Sequence, residues 1–189
     1  MSTVKLSRTG GLFGIVAVVA TFALTITTDP SGNRFLMTHV LSWVIGLASM
    51  VFIYTAYLRC RASAPTLSLL AVAAGMGGNA LFLFGTLSPS LYSIGDTGES
   101  LVLMLGVPLF GLAYLKTPGM SRILAIIGIL TGVAGLSNYA VLMIDGGSWS
   151  HPNNPAMLPA IMATYLGFVL CYVVWLGWSS YVFVRQDKK

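Results

Sequence analysis

The residues with the widest chemical range in this chain lie on apolar runs. His39, Ser42, Gly46 and Ser49 follow a 3-4-3 spacing, which puts them on one face of a helix. Gly14, Ala17, Thr21, Thr25 and Thr28 form a comparable face near the N-terminus. Asn79 and Asn138 each follow a string of small residues, in LLAVAAGMGGNALFLFGT from Leu69 to Thr86 and in IIGILTGVAGLSNYAVLMI from Ile126 to Ile144. Polar side chains within a membrane turn toward the bundle interior. His39, Ser42, Thr25, Asn79 and Asn138 therefore define a candidate polar pocket, open to the outside and suited to a small ligand. Interhelical hydrogen bonding, worth about 0.6–2 kcal/mol per bond, accounts for the same residues without any ligand.

Other reactive side chains offer less. Two histidines on facing helices would suit a b-type haem, but His151 stands in a polar loop between Ser150 and Pro152. A surface metal site could combine His39, His151, Asp96, Glu99 and Asp145, yet no ligand spacing selects it. Glu99 is expected to open a helix, where the macrodipole favours a carboxylate. Cys60 is expected at one membrane surface and Cys171 in mid-membrane, too far apart to pair. Between Arg59 and Arg61, Cys60 is also a candidate for palmitoylation. No HExxH, GxSxG or P-loop is present, so no catalytic, cofactor-binding or metal-binding residues are assigned and no cofactor is expected.

The elements that must position these residues follow from composition. The chain has 189 residues, of which 56% are hydrophobic and 8% charged. Soluble domains carry roughly 25% charged residues, so an all-α polytopic membrane helix bundle is expected, forming one domain. Hydropathy and turn signals place six transmembrane helices at about 11–28, 35–58, 66–87, 99–115, 120–144 and 156–184. The first apolar run is longer than a signal-peptide core and no clear A-x-A site follows it, so it is read as a retained span. Pro108 is expected to kink the short fourth span. The small-residue segments of spans 3 and 5 are expected to form the packed centre of the bundle. Ser7-Arg8 precedes Gly14 by the spacing at which Ser121-Arg122 precedes Gly128, and Asn79 corresponds to Asn138; three related helical hairpins and chance recurrence of small residues both account for this.

Orientation follows from charge. Six spans put Lys5, Arg8, Arg59, Arg61, Lys116, Arg122, Arg185, Lys188 and Lys189 on one side, nine of the ten basic residues. Arg34, Asp29, Asp96, Glu99 and Asp145 fall on the other. The positive-inside rule then makes both termini cytoplasmic and the protein a multi-pass component of a plasma (inner) membrane. The net charge of +5 is scattered over span ends rather than gathered in a patch, so nucleic acid is not an expected partner.

The hairpin from Leu109 to Gly128, LFGLAYLKTPGMSRILAIIG, resembles one in a family of uncharacterised six-span bacterial integral membrane proteins, a domain of unknown function. The stretch Val174-Trp175-Leu176-Gly177-Trp178 is loosely similar as well. The resemblance implies a six-span fold and transfers no functional residue. The sequence thus points to a non-enzymatic binding, sensing or accessory subunit of a membrane assembly. The lipid bilayer, other membrane proteins or further copies of the chain are its expected partners. The alternatives are a small transporter with an outward-facing polar pocket and a haem- or quinone-binding redox subunit.

Overall fold

A computed structural model describes residues 3–27, 35–145 and 153–185. All of its regular structure is helical: α1 (Thr3–Thr27), α2 (Phe35–Cys60), α3 (Pro65–Gly85), α4 (Tyr92–Ser100), α5 (Val107–Lys116), α6 (Arg122–Asp145) and α7 (Leu158–Arg185). A π-helical stretch, Leu101–Gly106, joins α4 to α5 into one rod. Among the described residues, six segments are long and apolar enough to cross a membrane: Leu6–Leu24, His39–Cys60, Pro65–Gly85, Ser93–Lys116, Arg122–Asp145 and Pro155–Arg185. Large apolar side chains such as Val19, Leu69, Leu136, Met143 and Leu170 point outward. An apolar exterior of that extent suits lipid rather than water.

The spans form a ring in chain order. Each packs on its sequence neighbour, and α7 closes on α1. Glycines at the seams set the register. A Cβ on Gly46 would press on Leu83, one on Gly75 on Ile53, and one on Gly78 on the carbonyl of Gly98. Gly132 backs onto Pro108, Gly128 onto Trp175, and Gly11 and Gly14 onto Ser180. Contact order reverses along the seams, Gly46–Leu83 against Ile53–Gly75 and Gly128–Trp175 against Gly135–Phe168, so these neighbours run antiparallel. Without a hydrophobic drive between helices in lipid, such close backbone approach supplies the packing. The contacts at Gly78 and Gly132 fall within the small-residue strings of spans 3 and 5. The expected central position of α3 and α6 is not found: the π-helical stretch and α5 stand between them.

Turn chemistry connects the rods. Ala64 N–H donates to Cys60 O at 2.8 Å, and Pro65 then starts α3, where its missing N–H costs nothing. Between α5 and α6, Gly119 adopts φ 79°, a left-handed conformation that disfavours residues with a Cβ.

The fourth span differs most from the sequence reading. Its helix begins at Tyr92, seven residues before Glu99. By sequence the stretch from Ser88 to Gly98 reads as a loop, since each helical Gly costs about 1 kcal/mol relative to Ala. Here Gly95 and Gly98 lie directly against Gly85 and Gly78 of α3, and packing outweighs propensity. Glu99 therefore sits roughly 10 Å along the helix at 1.5 Å per residue and not at its N-terminus. The expectation that Glu99 opens the helix is corrected accordingly. Pro108 acts through the π-helical turn: Val107 N–H donates to Val102 O, five residues back. The wider turn relieves the clash between a proline ring and the carbonyl four residues before it.

Candidate functional site

The two halves of the ring are filled differently along its axis. In the half holding the starts of α1 and α3, rings fill the centre. Trp175 stacks on Tyr114 at 5.8 Å and meets Phe52 edge-on at 5.7 Å, while Phe52 stacks on Phe183 at 5.4 Å. All of these side chains are fully buried.

In the other half a cavity of about 240 Å³ opens between α1, α2, α3, α7 and the rod containing α4. Its polar lining is Thr21, Ser49, Asn79, Glu99, Tyr165 and Tyr172; Phe82 and Phe168 are prominent in its apolar wall. A dry cavity of about 150 Å³ takes up benzene, so this one has room for a somewhat larger small molecule. A second cavity of about 180 Å³, lined by Asp96, Glu99, Ser100, Met104, Tyr165 and Phe168, adjoins it. Glu99, Tyr165 and Phe168 border both. The space exists because α4 packs on α3 and has little contact with α7.

Two of the polar groups here are tied to their own helices. Asn79 is 5% exposed and its Nδ2 donates to Gly75 O at 2.8 Å, within its own helix. The Thr21 hydroxyl donates to Ala17 O at 2.8 Å. Glu99 remains exposed to the cavities. Among the described residues its charged neighbour is another acid, Asp96, and no cation lies beside it. Arg34, the one cation that the charge pattern assigns to this end, lies outside the described residues.

The residues of the sequence-derived pocket are not gathered at one place. Asn79 lines the cavity. Asn138, 1% exposed, instead clasps α6 to α7: its Nδ2 donates to Thr164 Oγ1 at 2.8 Å and to Ile161 O at 3.2 Å. Ser42 is buried on α2 and His39 half-buried near the start of that helix, and neither belongs to the cavity lining. The Thr25 side chain and His151 lie outside the described residues. Asp145 organises the last connection, accepting from Asn153 N–H at 2.8 Å and Asn154 N–H at 2.9 Å. Cys60 is buried and Cys171 half-buried, both as free thiols.

Sequence reasoning missed Glu99, Ser49, Tyr165 and Tyr172 as cavity residues. Ser49 was already on the His39 face, seven residues beyond Ser42. A signal for Glu99 was present in Gly95 and Gly98, which at three residues apart share one helix face and let a neighbour approach closely. No protein-family model, curated protein or solved structure matches this chain. The hairpin resemblance accordingly adds nothing to the site.

Proposed function

We propose that this integral membrane protein is a binding or sensing component that takes up a small organic cation in the cavity around Glu99. The observation that carries this reading is a carboxyl group inside a membrane-spanning rod, open to a cavity, with no cation beside it among the described residues. An ionisable side chain at such depth is costly unless it has a task. The walls agree with a positively charged guest. Phe82, Tyr165, Phe168 and Tyr172 present ring surfaces, and aromatic faces attract ammonium groups by about 0.5–2 kcal/mol each. Asn79 adds an amide for a hydroxyl or carbonyl on the guest.

The reading includes cytoplasmic termini and a plasma-membrane location, supported by the charge bias. The cavity then belongs to the outer half. Thiols introduced at Ser90 and Asn153 should react with an impermeant reagent added to intact cells, and one at Ser63 should not; labelling at Ser63 would overturn the orientation.

A transporter is the second reading, favoured by the adjoining cavity that shares Glu99 and leads to Asp96. Two assays test the pair. A thermal-shift series of ammonium ions against their neutral isosteres tests binding: stabilisation by the cations alone supports it, and equal responses refute it. Uptake of a stabilising cation into proteoliposomes then separates carrier from sensor.

A further inference from the structure

At the opposite end of the bundle a separate cavity of about 130 Å³ is lined by Leu6, Ser7, Thr55, Leu58, Arg59 and Arg61. Arg59 is held in place there. Its Nη1 donates to Ser7 Oγ at 2.9 Å, and its guanidinium lies 5.3 Å from the centre of the Phe183 ring. Three helices thus fix one guanidinium, α2 carrying it and α1 and α7 supporting it. A guanidinium has five N–H donors, and among the described residues Ser7 is the acceptor for one of them. Arg61, two residues on, is exposed and lines the same cavity. The acids Asp96, Glu99 and Asp145 belong to the other half; Asp187, in the tail after Arg185, is the one acid that the sequence puts at this end.

We propose that this cavity is a binding site for the phosphate of an anionic phospholipid headgroup. Arg59 supplies a positioned guanidinium, Arg61 a second and more adaptable one, and Leu6 and Leu58 the apolar flank along which the glycerol and first acyl carbons lie. Planar guanidinium donors match phosphate oxygens in pairs, and fixing one beforehand lowers the ordering cost of binding. Free phosphate offers the same oxygens without the acyl chains, and the test separates the two sources.

The experiment uses full-length protein, purified in mild detergent and stripped of lipid. Its thermal midpoint is measured against added phosphatidylglycerol, phosphatidylcholine of identical chains, and inorganic phosphate. Phosphatidylglycerol should raise the midpoint in a saturable way, and phosphatidylcholine should not. Arg61→Gln, at an exposed position, should leave the lipid-free midpoint unchanged and weaken the phosphatidylglycerol response about tenfold, the loss of a charge-assisted contact. Arg61→Lys should recover part of it. Equal responses to the two lipids, or an unaltered response in Arg61→Gln, would overturn the site. A full response to inorganic phosphate alone would overturn the lipid assignment.

Discussion

From Phe183 through Phe52 to Trp175 the bundle axis is packed with rings, whereas beyond Ser49 the same axis runs into a cavity. The two regions share their helices. On α2 the change falls between Phe52, fully buried in the aromatic cluster, and Ser49, one turn away on the cavity wall. On α7 it falls between Trp175 and Tyr172. A ring of six spans leaves an axial space that side chains must fill or a guest must occupy. One half is filled by aromatic bulk. The other keeps small polar groups and a carboxyl group, at a cost in packing. A fold under selection for stability alone has no reason to leave a half open, which is why function is sought there.

The strongest way to break this comparison is to open the filled half. Trp175→Ala removes the ring on which Tyr114 stacks and which Phe52 meets edge-on. It should cost about 3–5 kcal/mol, as for large aromatic truncations in cores. Unfolding in detergent checks this, and a loss no greater than that of a lipid-facing Leu170→Ala control would show that the rings are not the structural half.

Overfilling the seams should rank next. Gly78→Leu and Gly132→Leu drive side chains into the Gly98 carbonyl and the Pro108 ring. Each should destabilise by about 1–3 kcal/mol or more, because backbone cannot yield as side chains do. Unchanged melting in both variants would mean that the glycines face lipid.

The two asparagines sharpen the contrast at smaller scale. Asn138→Leu removes a clasp between α6 and α7 and should cost about 1 kcal/mol. Asn79→Leu removes only a bond within its own helix and should change stability less, while filling part of the cavity. A larger loss at Asn79 than at Asn138 would reverse the roles assigned to them.

How much of this was legible beforehand differs between scaffold and site. Six spans were readable, because hydropathy over some twenty residues is a local property. So were the Gly78 and Gly132 contacts, since a small residue in a membrane helix has few other uses. The site was not, because it depends on which helices become neighbours. Asn79 and Asn138 follow similar strings, yet one meets a gap and the other meets Thr164. The start of the fourth helix was hidden because Gly95 and Gly98 look like loop residues until Gly85 and Gly78 are placed against them. With that helix begun too late, Glu99 read as a cap.

The most direct test of the account is equilibrium binding of radiolabelled choline to purified wild-type protein and to Glu99→Gln, with 3,3-dimethylbutan-1-ol, its neutral isostere, as competitor. Glu99→Gln keeps the shape of the side chain and should leave the melting midpoint equal or higher. Saturable choline binding in the wild type, lost in Glu99→Gln and resistant to the neutral alcohol, is the predicted result. Binding of equal strength in both proteins, or displacement by the alcohol as readily as by unlabelled choline, would contradict the claim that the open half is a cation site.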